Sequence, residues 1–212
     1  MWLRRIVVGT AIAAPLLLMS CGLGVRFGLW GFSTGFMLLR WSLIVGLAAA
    51  AGALVGLSIP RVRRGFVLPL VIALALGLGT AFVPFEFQRR ARAVPPINDI
   101  ATDLQTPYAD QQRKAYPDIQ PLRLPVPPAQ AYPEALAAAQ AMGWEIVSKD
   151  PAAGRFAAVD TTLWFGFKDD VTVRVTAEGA GSRVDVRSKS RVGKSDVGTN
   201  AKRIRAYLQR LR

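Results

Sequence analysis

The sequence predicts a membrane region of three transmembrane α-helices followed by an α+β domain in which two helices pack on an antiparallel sheet. Three observations predict it. Hydrophobic residues make up 51% of the 212 residues, yet the net charge is +13. The charge is unevenly divided: residues 1–96 carry 10 Lys+Arg against Glu86 alone, and residues 97–212 carry 17 Lys+Arg against 13 acids. Finally, three charge-free runs of about 20 residues, the length that a hydrocarbon core of about 30 Å requires, all lie in the first part. The boundary falls near Pro95 and Pro96. It divides the chain into a three-span membrane region (1–92), a Pro-rich extended linker or strap (93–131) and the α+β domain (132–212).

The first run covers residues 6–25, between Arg4, Arg5 and Arg26. The second covers 41–59, between Arg40 and the group Arg61, Arg63 and Arg64. The third covers 66–85 and is closed by Glu86, Arg89 and Arg90. Lipid offers backbone groups no water, so each run should be a helix that bonds internally. Gly46, Ala49, Ala50, Ala51, Gly52, Ala53 and Gly56 form a small-residue face that permits close helix packing. Residues 27–39 are rich in glycine and aromatic rings and read as an interfacial loop. Trp30, Phe32 and Trp41 suit the headgroup level there. Leu18-Met19-Ser20-Cys21-Gly22 resembles a bacterial lipoprotein signal, which would make Cys21 a lipidation site. Two further spans follow it and Met19 is out of pattern, so a membrane helix with a chance cysteine is the favoured reading.

Orientation is balanced. With the N-terminus inside, Arg4, Arg5, Arg61, Arg63 and Arg64 lie inside, and Arg26, Arg40, Arg89, Arg90 and Arg92 lie outside. The positive-inside rule does not decide between the two sides when the counts are equal. The arginine density at 60–65 and the start at Arg4 and Arg5 favour an inside N-terminus and an outside C-terminal domain.

Residues 93–133 contain nine prolines, too many for long helices or central strands. Residues 97–103 read as turns, and a short strand is expected near 122–126. From Tyr132 the pattern turns regular. Pro133 at a first helical turn and Gly143 as a stop bracket a helix at 133–142. Strands are expected at 144–149, 154–164, 170–177 and 182–190. Val171, Val173, Val175, Val184 and Val186 fall on one sheet face; Thr172, Arg174, Thr176, Arg183, Asp185 and Arg187 fall on the other. A two-residue turn at Gly179 and Ala180 sets Arg174 opposite Asp185 and Asp170 opposite Lys189, the latter as an ion pair. A last helix, beginning at Asp196 or Thr199 and ending near Leu211, aligns Val197, Ala201, Ile204, Leu208 and Leu211 on one stripe.

The chain has no His and one Cys. That excludes a Ser–His–Asp triad, a His-ligated metal, an internal disulfide and a cysteine zinc knuckle. No metal and no cofactor are expected. The most suggestive stretch is basic, rich in hydroxyl groups and glycine, and leads into the last helix. Ser188, Lys189, Ser190, Arg191, Lys194, Ser195 and Asn200 are its candidate anion- or ligand-binding residues, since a helix N-terminus favours anions. Gly193-Lys194-Ser195 is not a nucleotide-binding loop, because Ser188 stands where its upstream glycine belongs. The bland reading has Ser195 or Asp196 capping the helix. Asp169, Asp170 and Arg203 form a candidate polar cluster. Neighbouring acids on a strand point to opposite faces, so Asp169 and Asp170 should not converge, and Arg191 or Arg203 could pair with one of them.

The run from Trp164 to Val175, the run from Gly181 to Gly193, and Asp196-x-Gly198-x-Asn200-x-x-Arg203-Ile204 resemble the domain-of-unknown-function 1499 family, as does Pro-Pro-Ile-Asn-Asp-Ile-Ala-Thr-Asp at 95–103. The likeness covers about residues 95–211, and the three spans look like a membrane-anchored bacterial form. Other members resemble lipoproteins or exported proteins, which implies a domain outside the cytoplasm. Many members have Asn-Cys where this chain has Asn98 and Asp99, so no role of that cysteine transfers, and the resemblance implies no catalytic residue.

These readings converge on a multi-pass protein of the bacterial inner membrane. Its periplasmic α+β domain would act in the cell envelope by binding. Membrane lipids, and another envelope protein, are the partners expected; nucleic acid is not. An envelope enzyme using Asp169 and Asp170 with Ser190, Arg191 and Asn200 is the alternative, and a cytoplasmic-facing regulatory domain is a third.

Overall fold

The computed structural model describes residues 2–212. They form two compact units: the residues up to Arg90 with Leu163–Gly166, and Ala91–Thr162 with Phe167–Arg212.

The first unit is built on α1 (Trp2–Arg26), α2 (Phe32–Ser58), the single turn α3 (Pro60–Arg63) and α4 (Val67–Ala93). Among the described residues, α1, α2 and α4 are the helices long and apolar enough to cross a membrane. The interfacial loop expected at 27–39 shrinks to 27–31, because α2 already begins at Phe32. Gly35 explains the difference. It is a packing glycine, not a loop glycine: a Cβ there would lie 2.5 Å from Val25 Cγ2 and 2.8 Å from the Cys21 carbonyl oxygen. Helix α4 likewise runs past the expected stop at Glu86. Arg89 and Arg90 donate to the Glu86 carboxylate at 2.7 and 2.8 Å, pairs at i+3 and i+4 that support helix.

The small-residue face packs in part: Ala51 is exposed and Gly52 half-buried. Gly46, Ala49, Ala50, Ala53 and Gly56 are all buried. A Cβ on Gly77 of α4 would sit 2.6 Å from the Gly46 carbonyl oxygen, so the two backbones nearly touch. Val7 and Ala11 of α1 join Ala49, Ala53, Leu70 and Ala73 in one cluster. Arg4 donates to the carbonyl oxygens of Val62, Arg61 and Arg64 at 3.0, 3.3 and 2.9 Å. The start of α1 and the α2–α4 connection therefore share one end of the unit.

The second unit comprises β1 (Asp99–Ala101), α5 (Ala109–Ala115), β2 (Leu122–Leu124), α6 (Pro128–Ala141), β3 (Glu145–Asp150), β4 (Arg155–Thr161), β5 (Lys168–Glu178), β6 (Gly181–Ser190) and α7 (Thr199–Arg210). The six strands form one antiparallel sheet in the order β1-β6-β5-β4-β3, with β2 also on β6. Residues 99–101, read as turns, are a strand, because β6 has a free edge of N–H and C=O groups that must be bonded. β1 pairs with its Arg187–Lys189 end and β2 with its Ser182–Val184 end. Helix α6 starts at Pro128, not Pro133. Pro128 takes the first helical position, where its missing N–H costs nothing, and Pro133 sits inside the helix. Helix α5 is an element that the sequence pattern does not announce. Glu178 pairs with Gly181 across the two-residue turn, so Arg174 faces Asp185 and Asp170 faces Lys189, the register that alternation predicts.

Valines 171, 173, 175, 184 and 186, with Phe156 and Ala158, point to the inner face, where α6 and α7 cover them. Ala131, Ala135 and Ala139 bring α6 close. Tyr207 of α7 stacks on Trp144 at 4.9 Å between ring centroids and donates its hydroxyl to the Ala135 carbonyl at 2.8 Å. Arg155, Thr172, Arg174, Arg183, Asp185 and Arg187 point to the outer face.

Candidate functional site

At one end of the sheet the inner face changes from apolar to polar. Asp160 and Asp169 lie directly opposite each other on β4 and β5. Like charges in that position repel. Arg203 reaches down from α7 and separates them: Nε donates to Asp160 Oδ2 and Nη2 to Asp169 Oδ2, both at 2.6 Å. Its Nη1 donates to Ser188 Oγ at 2.9 Å and Asn200 Oδ1 at 2.5 Å. Asn200 Nδ2 in turn donates to Ser190 Oγ at 3.1 Å and the Asn98 carbonyl at 3.0 Å. The side chains of Arg203 and Asp169 are 4% and 3% exposed. This network ties α7, β4, β5, β6 and the lead into β1 together.

The candidate residues thus divide between two settings. Ser188, Ser190, Asn200, Asp169 and Arg203 belong to the buried network. Lys189, Arg191 and Lys194 are exposed. Asp170 leaves β5 on the outer face, away from Asp169, and its carboxylate takes Arg191 Nη2 at 2.6 Å and Nε at 3.0 Å. That bond holds the Arg191 guanidinium above its ordinary pKa. The expected Asp170–Lys189 ion pair is therefore corrected: the residues are opposite in register, but the arginine's planar fork takes the carboxylate. Ser195 Oγ accepts from the Val197 N–H, and Asp196 accepts from the N–H groups of Gly198 and Asn200, both at 2.8 Å. The N-cap of α7 is Gly198; Asp196, two residues earlier, satisfies the Asn200 N–H of the first turn, and burial raises its pKa. Val197 at φ +54° and Gly198 at +78° turn the chain into the helix. Cys21 is buried in α1, its thiol on the Leu18 carbonyl at 2.8 Å. No group of three or more Cys, Asp or Glu among the described residues could hold a metal ion.

Sequence reasoning missed the role of Asp160 and Asn98. Asp160 shares strand parity with Phe156 and Ala158, which placed it on the core face.

The outer face is the accessible one. Arg155 of β4 and Arg174 of β5 are directly opposite; in the next row Thr172 lies between Ala157 and Arg187. Arg155, Arg174, Thr172 and Arg187, with Asp103, Gln105 and Asp185, line an open cavity of about 210 Å³.

An α+β domain of this pattern, attached to three apolar helices, defines the class. The chain matches the family described as "Protein of unknown function (DUF1499)" over residues 99–211, and it belongs to that family. No match among curated proteins is found. Among solved structures, one titled "Crystal structure of Ara h 8.0201" is similar at 14% identity and a TM-score of 0.30, covering 43% of this chain and 94% of that one.

Proposed function

We propose that this is a multi-pass protein of the bacterial inner membrane whose α+β domain lies in the periplasm and acts by binding, as an interaction module of the cell envelope. The observation that supports the reading is the division of the sheet. Helices α6 and α7 occupy one face, and the polar side chains beneath them are bonded to one another. The other face, with the loop that follows β6, offers exposed Lys189, Arg191 and Lys194 to anionic partners such as lipid headgroups. Asp169 and Asp170 lie on opposite faces, which favours binding over paired-carboxylate chemistry.

A C-terminal fusion tests the location. Alkaline phosphatase fused after Arg212 should be active and a cytosolic fluorescent reporter dark; the reverse pattern would place the domain in the cytoplasm. For the loop, Lys189→Ala with Lys194→Ala should weaken association with anionic vesicles at low salt. Unchanged association defeats that part of the reading.

A further inference from the structure

We propose that the outer face of the sheet holds a binding site for a small phosphate-class anion, at the crossing of Arg155, Arg174 and Arg187 over Thr172. The site is distinct from the loop that follows β6 and is independent of which side of the membrane the domain occupies.

Two arginines directly opposite each other on a sheet disfavour the fold, since like charges in that relation repel. The acids nearest the pair are Asp103 and Asp185, 3.3 and 3.7 Å from Arg174 Nη2, and Asp150, 3.6 Å from Arg155 Nε. Asp185, on the far side of Arg174, is 3.7 Å from it and is engaged elsewhere: both its oxygens take the Arg183 fork, and Oδ1 also accepts from Thr102 Oγ1. Asp103 Oδ1 accepts the Gln105 N–H at 3.1 Å, and Oδ2 takes one Arg174 nitrogen at 3.3 Å. Both acids of the cavity are therefore already engaged with donors.

The arginines are not. A guanidinium has five N–H donors. Arg174 spends Nη2 alone on hydrogen bonding among the described residues. Arg155 has only a long ion pair to Asp150, at 3.6 Å, and its side chain is 65% exposed. Arg187 spends Nε and Nη2 on Asp99 and keeps Nη1. Spare planar donors from neighbouring strands match the tetrahedral oxygens of phosphate. The floor suits this too. Thr172 lines the cavity, and its hydroxyl can donate or accept. The cavity, about 210 Å³, is below the range of about 300–1,000 Å³ for drug-sized ligands, so it takes a small group. That group could be free phosphate or the phosphate of a lipid headgroup.

The test uses the full chain in phosphatidylcholine nanodiscs. Inorganic phosphate is titrated calorimetrically, and vesicles containing phosphatidic acid are offered in a parallel capture assay. Saturable phosphate binding should weaken about tenfold in Arg155→Ala, partly recover in Arg155→Lys, and stay within about twofold in Arg210→Ala. Arg155 is exposed and joined to the fold by one long ion pair, so its loss leaves the domain intact; unchanged amide exchange in β4 and β5 checks this. Dependence on Arg155 in the vesicle arm alone assigns the phosphate to a lipid headgroup; dependence in the titration assigns it to a free anion. No saturable binding in either arm, or equal losses in Arg155→Ala and Arg210→Ala, overturns the site.

Discussion

Arg203 holds two facing carboxylates apart. Its three nitrogens meet two carboxylates, a hydroxyl and an amide oxygen, all within 2.9 Å. Arg203→Met removes that cation and leaves Asp160 and Asp169 facing each other, with Asp169 almost fully buried. Breaking such a pair from one side costs about 3–5 kcal/mol. Amide exchange in the full chain should show β5 and β6 opening more easily by that amount, with partial recovery when Asp169→Asn is added. Asp196 acts in the other direction. Burial raises its carboxyl above the ordinary value of 3.8, against the pull of the Asn200 and Gly198 N–H groups. A group that binds its proton more tightly in the fold stabilises the fold fully below the unfolded value, and the contribution is lost as pH rises through the folded one. Carbon NMR titration of the Asp196 carboxyl should give a midpoint above 3.8. The contribution of Asp196 to stability should fall over that interval, seen as the difference between the wild-type and Asp196→Asn pH profiles.

Elements show what could be read in advance and what could not. Alternation in β5 and β6 gave the register to the residue, because valines at period two on one side and charges on the other allow a single pairing across the two-residue turn at Gly179. The same parity held the buried network in plain view. On three strands the core stripe turns polar at one end: Asp160 after Ala158, Asp169 before Val171, and Ser188 and Ser190 after Val186. What was missing was the strand order, which brings these ends together. β2 lies inside the short strand expected at 122–126, but β1 and α5 were hidden for another reason: a three-residue strand or a seven-residue helix has too little periodicity of its own, and the β6 edge and the core create it. Helix contacts among the spans were partly legible. The small-residue face of α2 was visible, but its glycine partner on α4 was not. Gly77 and Gly79, two residues apart, separate a packing role from composition. A Cβ on Gly77 would strike the Gly46 oxygen and the Ala50 nitrogen, whereas one on Gly79 meets nothing within 4 Å. Gly77→Ala should therefore lower the thermal stability of the chain in micelles, and Gly79→Ala should leave it unchanged or slightly raised.

For the whole molecule, the charge of +13 lies chiefly among the three long apolar helices. The first 96 residues hold +9 of it and the remainder +4. Under the proposed arrangement α1, α2 and α4 each cross the membrane, which sets Arg4 and the end of α4 on opposite sides; the Arg4 bonds to the Arg61–Arg64 backbone keep those arginines together at one end of the helices. The tie of five arginines against five therefore pits Arg4, Arg5, Arg61, Arg63 and Arg64 against Arg26, Arg40, Arg89, Arg90 and Arg92 as two fixed blocks. Such a balance should be easy to tip, because orientation follows the excess of Lys and Arg in short loops near the span ends. The five-residue turn between α1 and α2 is the place to tip it. Phe27 and Leu29 are each 71% exposed there, so arginine at either position needs no repacking. Phe27→Arg with Leu29→Arg adds two charges to the block opposite Arg4. Under the proposed arrangement this inverts a fraction of the molecules, seen as lost phosphatase activity and gained fluorescence in the paired C-terminal fusions. The compensating pair Ser58→Arg and Ile59→Arg, on the Arg61 side, should restore the original ratio. If the double variant instead strengthens the wild-type pattern, the domain lies on the cytoplasmic side, and the Arg61 block faces out.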